Sequence, residues 1–277
     1  MSSMTLSFAC PETMFKITEI TNICLETSIR YLLFYITLFL ICPIAMAKEN
    51  HAFSLETGLY YSEGDYHRNR STTIQYLPLT AKYQTKNFQF KLSGGWLSLK
   101  GPGNIETGTQ TASEFDEYGL ADTHFSSAYY WRTSQLKLID WLVPEFKIKI
   151  PTADKNKALG TGTLDGQIIL SFYRIRAPLT LHSSLSHRWR SNKNELNLRN
   201  SWGFNFGTVW QWTKYLSTGI VFDTEEAAST ISSAKRELLF HVSVKITRKI
   251  KTTLYSQYGL SNGSPEVSFG TQVAYKF

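Results

Sequence analysis

The feature that most constrains this sequence is a strict alternation of apolar and polar residues, repeated in segments of about ten residues. In the segment 141–150 the even-numbered positions are apolar, whereas Glu145, Lys147 and Lys149 occupy odd-numbered positions. Successive side chains of a β-strand point to opposite faces, so this pattern predicts strands with one apolar face and one wet face. After residue 48 there is neither a helical stripe nor an apolar run long enough for a membrane helix.

Reading onward gives about twelve such segments, each near the length of a membrane-spanning strand. They are 52–62, 74–84, 88–98, 119–131, 141–150, 165–175, 178–190, 196–212, 214–223, 236–247, 250–260 and 266–277. An even number of strands places both ends of the domain on the same side of the membrane. The predicted fold class is therefore all-β, a transmembrane antiparallel up-and-down β-barrel of about 12 strands, as in the outer membrane of Gram-negative bacteria.

The connections between these segments alternate between long and short, as outer-membrane barrels require of external loops and periplasmic turns. The long set is 63–73, 99–118, 151–164, 191–195, 224–235 and 261–265. The short set includes 85–87, 175–177, Thr213 and 248–249, with 132–140 as the exception. A soluble β-sandwich would not show this strict alternation of long and short connections, which we call the parity of the connections.

The last segment carries the most specific signal, because its apolar face ends on an aromatic C-terminal residue. Val273, Tyr275 and Phe277 alternate with polar or small residues. This arrangement resembles the C-terminal signature by which outer-membrane proteins are recognised by the barrel assembly machinery. The resemblance implies that this machinery is a partner, together with outer-membrane lipid and lipopolysaccharide.

An export signal precedes the barrel. Residues 31–43 form an apolar run, and a small-x-small cleavage site ends at Ala47. The run is too short to span a bilayer as a helix. We therefore expect residues 1–47 to be a signal peptide, with a translation start at Met14 or later, and residues 48–277 to be a single barrel domain. All three cysteines lie before the cleavage site, so the mature chain needs no disulfides.

Composition narrows the class of partner. The 29 Lys and Arg residues outnumber the 22 Asp and Glu residues, which gives a net charge of +7. The basic residues are scattered singly along the chain, which argues against a nucleic-acid-binding surface. Aromatic residues make up 14 % of the chain. Trp131, Trp141, Trp210 and Trp212 are predicted near periplasmic strand ends. The other tryptophans, Trp96, Trp189 and Trp202, are predicted near external ends, as in the aromatic girdles of membrane barrels.

Two stretches resemble a known family. GLADT at 119–123 opens the fourth segment, and KIKIPTAD at 147–154 is followed by LGTG at 159–162 and by Asp165. They are similar to the transporter-like outer-membrane family named for the MetA pathway of phenol degradation, which has glycine where this chain has Ala153. The resemblance implies passage of small solutes, including hydrophobic or aromatic ones.

The strands also contain residue types that serve in catalytic sites. Three segments place His and Ser on one strand face, where a histidine could activate a hydroxyl. These pairs are His124 with Ser126, His182 with Ser184, and His241 with Ser243. All are predicted to face the lumen, whereas a lipid hydrolase must present its nucleophile to lipid. No metal motif is present. We therefore predict no catalytic, cofactor or metal residue, and no enzyme activity.

The charged residues of the strands are predicted to line the lumen with a basic excess. The candidates for lumen or selectivity roles are Asp122, Glu145, Lys147, Lys149, Arg188, Arg190 and Arg199. Asp122 and Lys149 fall near the same height and are predicted to pair. The sequence therefore favours a channel for passive diffusion of small solutes that prefers anions. It leaves open whether the lumen is plugged, and a non-conducting structural or adhesive surface barrel and a lipid enzyme are the alternatives.

Overall fold

The computed structural model describes residues 51–66, 71–101, 115–133, 138–191 and 198–277. The predicted signal peptide lies outside the described residues, so it stays a prediction. No helix in the described ranges is long and apolar enough to cross a membrane. The described chain is almost entirely β-sheet, apart from one short 3-10 helix at Lys155–Lys157.

The strands follow the predicted segments closely along the chain. They are β1 Ala52–Gly64, β2 Thr72–Gln84, β3 Phe88–Gly101, β4 Phe115–Leu120, β5 Thr123–Tyr129, β6 Trp131–Arg132, β7 Trp141–Ile150, β8 Asp165–Arg176, β9 Leu179–Arg190, β10 Ser201–Gln211, β11 Leu216–Glu225, β12 Lys235–Lys245, β13 Ile250–Gly259 and β14 Val267–Lys276. The predicted 196–212 strand is too long at its start, because β10 begins only at Ser201. The predicted one-residue turn at Thr213 is wrong as well, because 212–215 connect β10 to β11.

The sheet closes on itself. β1 pairs with β14 from Ser54 opposite Lys276 to Glu63 opposite Val267, and every neighbouring pair is antiparallel. β4, β5 and β6 follow one another along one position in the sheet, so the described segments make a closed barrel of 12 strands. Closure matters because an unpaired backbone group facing lipid costs several kcal/mol. The predicted fold class is confirmed.

The fourth barrel strand is not continuous, although the sequence predicted one strand over 119–131. Trp96 pairs with Leu120, and Ser93 pairs with His124. Two residues of β3 therefore face three residues of the partner, which is the definition of a β-bulge. The bulge falls at 121–122 and turns Asp122 toward the lumen.

The outer face of the barrel is apolar, as the alternation predicted. Phe204 and Phe206 are exposed, while the intervening Asn205 and Gly207 face inward and are at least partly buried. The same holds around the barrel, where the exposed residues include Leu59, Leu77, Phe88, Trp96, Phe146, Ile168, Leu185, Phe240, Leu254 and Phe269. Six tryptophans are exposed on this face. Trp141 is the exception, because it pairs with the inward-facing Tyr173 and so lies on the lumen side.

The parity of the connections is confirmed. One end carries 85–87, 133–140, 177–178, 212–215 and 246–249, together with Phe277, and the other end carries 65–71, 102–114, 151–164, 191–200, 226–234 and 260–266. In outer-membrane barrels the short turns face the periplasm and the longer loops face outside. We therefore name the two ends the periplasmic end and the external end.

Candidate functional site

One external connection lies against the inner wall of the barrel. In this segment, residues 151–164, Asp154 caps the short 3-10 helix by accepting a hydrogen bond from the Asn156 N–H at 2.9 Å. The turn presents Leu159, which is buried with Ala153 against Leu99, an inward-facing residue of β3. We call 151–164 the inward loop, because its apolar side chains pack on the lumen face.

Two glycines allow this close packing. A Cβ on Gly160 would lie 2.8 Å from the Ala153 Cβ and 2.9 Å from an Asp122 carboxylate oxygen. Gly162 has a φ of +66°, a left-handed conformation that favours glycine. The LGTG stretch is therefore explained by packing and backbone conformation.

A buried lysine joins the inward loop to the wall. The Lys149 Nζ lies 2.7 Å from Asp165, 3.4 Å from Asp122 and 2.6 Å from the Thr161 hydroxyl. The three charged side chains are between 5 % and 11 % exposed. The predicted pairing of Asp122 with Lys149 is confirmed, and Asp165 is a second partner that the sequence analysis did not assign to it.

Both carboxylates also hold backbone or hydroxyl donors. Asp122 accepts the Ala153 N–H at 3.0 Å, which anchors the start of the inward loop. Asp165 accepts the Thr163 hydroxyl at 3.1 Å and the Ser191 N–H at 3.3 Å, which anchors its end. The residues that carry the family resemblance thus converge on one structure, the inward loop and the ion pairs beneath it.

A second cluster continues along the wall at the same end. Arg190, with only 3 % of its side chain exposed, donates to Glu225 at 3.0 Å, to the Ser201 hydroxyl at 2.7 Å and to the Arg199 carbonyl at 3.0 Å. Arg188 shares the same carboxylate at 3.3 Å. Two guanidinium groups therefore rest on one acid, and Arg190 is too enclosed to act as a free cation in a water path.

The ion pairs continue onto β12. Lys235 bridges Asp223 at 2.7 Å and Glu237 at 3.3 Å, and Gln257 donates to Glu237 at 2.9 Å. Together with the two clusters above, these contacts form a belt of paired charges along the external half of the lumen wall, from Asp122 to Gln257 of β13. The belt holds its charged side chains against the wall.

Arg199 takes part in the cluster around Arg190 through its backbone. It precedes β10, its side chain is exposed, and its contribution to the cluster is a backbone carbonyl. Two of the other predicted lumen residues, Arg188 and Arg190, lie against one carboxylate. The carboxylate of Glu225, which the sequence analysis did not include, already offsets part of their charge.

Glu145 and Lys147 have different surroundings although they lie two residues apart on β7. Glu145 pairs with Lys91 at 3.1 Å across β5, where Ser126 and Ala128 are small and buried beneath the pair. Lys147 has no ion-pair partner in the described part of the chain. It is therefore the wall cation of β7 whose charge is not directly neutralised.

The lumen holds a cavity of about 690 Å³. Its lining consists mainly of inward-facing residues from β1, β2, β12, β13 and β14, among them Tyr60, Tyr76, His241, Lys251 and Tyr255. Glu56 nearby is held by Lys82 and by Gln272. The cavity is large enough for a small organic solute.

The rings in this region lie over glycines, an arrangement that the sequence analysis missed. A Cβ added to the paired glycine would strike the ring within 3 Å in each case. The pairs are Tyr76 over Gly95, Tyr255 over Gly270, His182 over Gly207 and His241 over Gly219. The missing Cβ of each glycine leaves room for the ring against the wall. Cross-strand pairing of glycine with aromatic residues is the signal that could have found them.

The three His and Ser pairs face the lumen as predicted. The Ser243 hydroxyl shares a hydrogen bond with the Thr253 hydroxyl at 2.8 Å rather than with His241. Within the described ranges, no three His, Cys, Asp or Glu side chains are grouped as metal ligands. The described wall thus offers polar contacts without an assembled nucleophile.

Charges outside the strands stabilise the two ends. At the periplasmic end, the Ile175 N–H donates to Asp140 at 2.6 Å and Arg176 adds an ion pair at 3.1 Å. The backbone N–H, with the guanidinium, holds the pKa of Asp140 below its ordinary value. At the external end, a hydrogen bond to Glu117 raises the pKa of Lys157 in the inward loop.

The C-terminal residues predicted as an assembly signal lie together on the outer face. Val273, Tyr275 and Phe277 are exposed there, and the Phe277 N–H donates to the Phe53 carbonyl at 3.0 Å. The rings of Phe53 and Phe277 are 5.3 Å apart. The terminal residue therefore also helps to close the barrel seam.

These features define the class of the protein. A closed antiparallel barrel with an apolar outer face, exposed tryptophans and a polar lumen is the architecture of bacterial outer-membrane β-barrels. No protein-family model matches the chain, and no curated protein matches it.

Solved structures do resemble it. An outer-membrane channel from Pseudomonas putida F1 aligns with a TM-score of 0.63 at 14 % identity, covering 83 % of this chain and 97 % of that chain. The β domain of the Bordetella autotransporter BrkA aligns with a TM-score of 0.46 at 10 % identity, covering 82 % and 99 %. At these sequence identities the likeness concerns the fold alone. Of these two structures, the Pseudomonas putida channel is similar enough to support the fold.

Proposed function

We propose that this protein is an outer-membrane channel through which small solutes diffuse passively. The observation that carries the proposal is the cavity of about 690 Å³ in the lumen, lined mainly by inward-facing polar and aromatic side chains. At the external end, the inward loop packs on the lumen wall. A lumen cavity with a loop packed inside its external end suits a selective channel rather than an unrestricted pore.

Unpaired lysines in the lumen favour passage of anions. Lys245 and Lys251 face each other directly between β12 and β13, and neither has an ion-pair partner among the described residues. Lys147 is a third such cation. The described acids of the lumen wall mostly sit in ion pairs, so the net field comes from these lysines. Wall charges raise the local concentration of ions of the opposite sign, and salt screens the effect.

The ion preference is tested by reversal potentials across planar bilayers under a potassium chloride gradient. We expect the wild type to prefer chloride and the double variant Lys245→Gln, Lys251→Gln to lose much of that preference. The double variant Lys86→Gln, Lys214→Gln, which removes two lysines from periplasmic turns, serves as the charge-matched control. Equal preference in all three proteins would contradict the role of the lumen lysines.

We also propose that the chain is a divergent member of the transporter-like family that it resembles. The supporting observation is that the resembling residues, from Asp122 to Asp165, build one structure around the inward loop. Small solutes, including hydrophobic or aromatic ones, are then the proposed cargo. Liposome-swelling rates for uncharged solutes of increasing size test this assignment, and no swelling with any solute would oppose it.

The barrel assembly machinery is the proposed partner for insertion. Deleting Phe277 removes the terminal ring and its hydrogen bond to Phe53. We expect lower amounts of folded protein in the outer membrane and normal export across the inner membrane. Normal outer-membrane amounts of the deletion variant would argue against an assembly signal at this residue.

A further inference from the structure

We propose that the lumen wall contains a binding pocket for the carboxylate group of a small monoanionic solute, formed by His124, Lys147, Gln167 and Arg188. This inference rests on the proposed channel function and names a solute class for it. The four residues line a small cavity in the wall, together with Lys149 and its partner acid. The pocket lies beside the belt of paired charges and beneath the inward loop.

The strand register brings these side chains to one place. Lys147 pairs with Gln167 between β7 and β8, and Gln167 pairs with Arg188 between β8 and β9. The three residues are therefore adjacent across the sheet and face the lumen. Neighbouring strands are about 4.8 Å apart, so the two cations start about 10 Å apart at the backbone and flank the amide. His124, on β5, pairs with Lys149 and closes the side of the pocket.

The charge balance of the wall leaves one positive charge for a ligand. Four cations lie here, Lys147, Lys149, Arg188 and Arg190, and three acids offset them, Asp122, Asp165 and Glu225. With histidine counted as neutral, the cations exceed the acids by one positive charge. Lys147 is the cation without an acid of its own. A monoanion completes the balance, whereas a dianion would face the nearby carboxylates.

The size and the donors also suit a carboxylate. The cavity has a volume of about 50 Å³, which is room for about three or four water molecules. A carboxylate group fits this space while the rest of its molecule extends into the lumen. The Arg188 guanidinium offers forked N–H donors to two oxygens, and the Gln167 amide and the Lys147 ammonium add further donors.

The experiment is isothermal titration calorimetry of acetate into the full barrel in detergent. We expect saturable binding to the wild type and about tenfold weaker binding to Lys147→Gln, because one charge-assisted donor is removed. Arg188→Lys keeps the charge but loses the fork, and we expect it to weaken acetate binding as well. Lys251→Gln, a lumen lysine outside the pocket, should bind acetate within about twofold of the wild type.

Folding of each variant is checked by its heat-modifiable migration on gels, and Lys147→Gln breaks no ion pair that could prevent folding. Acetate binding that is equally weakened by Lys147→Gln and Lys251→Gln, or unchanged in both, would overturn the pocket. Inorganic phosphate that binds more tightly than acetate would overturn the carboxylate assignment. A barrel that binds acetate but never conducts would defeat the proposed function and leave the pocket standing.

Discussion

Lys149 is the residue whose loss should most damage the external half of the barrel. The substitution Lys149→Met keeps the length of the side chain but removes the charge that faces Asp122 and Asp165. Breaking a buried ion pair by removing one partner costs about 3 to 5 kcal/mol, because the remaining charge stays buried. Here the two acids keep their N–H and hydroxyl donors. We therefore expect the lower end, about 3 kcal/mol.

A loss of about 3 kcal/mol lowers the folding equilibrium constant by about two orders of magnitude. The assay is reversible urea unfolding of the barrel in lipid vesicles, followed by tryptophan fluorescence. Lys147→Met is the matched control, because it lies on the same face of the same strand and breaks no ion pair. We expect the control to change stability by less than about 1 kcal/mol.

A second substitution distinguishes the effect of the lost charge on stability from the effect of the changed packing. In the double variant Lys149→Met, Asp165→Asn, one orphaned charge is removed together with its partner, which recovers part of the lost stability. Equal stability of Lys149→Met and Lys147→Met would refute the reasoning. It would mean that water in the lumen solvates Asp122 and Asp165 well enough to replace the lysine.

Three further predictions concern the faces of the barrel, the inward loop and the periplasmic end. Phe204→Arg should reduce folding by about 2 to 4 kcal/mol while Asn205→Arg has little effect, measured as folded fraction in vesicles; similar losses would mean that the register is wrong. Gly160→Ala should speed proteolysis of the inward loop, whereas Gly166→Ala, whose added Cβ has space at 3.8 Å, should not. The lowered pKa of Asp140 means that its stabilisation is present above about pH 4 and fades below it. The protection of the amide bound to this carboxylate, measured as its hydrogen-exchange rate relative to the intrinsic rate at each pH, should therefore fall in acid, and a pH-independent Asp140→Asn variant is the control.

Sequence reasoning captured the barrel because period-two alternation is a local property of each strand. The segment 141–150 has the same bounds in the structure, and the outward direction of Phe204 followed from its neighbours alone. The bulge at 121–122 was missed, because GLADT keeps an acceptable strand pattern until it is aligned with β3. The extra residue is visible only in the pairing of two strands.

The candidate site was recovered in part for a similar reason. Asp122 and Lys149 lie at corresponding heights on neighbouring strands. Counting residues along the two strands was therefore enough to predict that they pair. Arg190 lies on β9 and Glu225 on β11, with β10 between them. The sequence does not show which long side chains reach over an intervening strand to a partner. The inward loop also escaped prediction, because LGTG looks like an ordinary surface turn until Leu159 is seen against Leu99.

The most direct test of the channel is single-channel recording of the purified mature protein in planar lipid bilayers. The structure predicts discrete, stable conductance steps with a preference for anions that shrinks as the salt concentration rises. No conductance at any salt concentration would contradict the channel and favour a non-conducting surface barrel. A strongly cation-selective pore would contradict the role assigned to Lys147, Lys245 and Lys251.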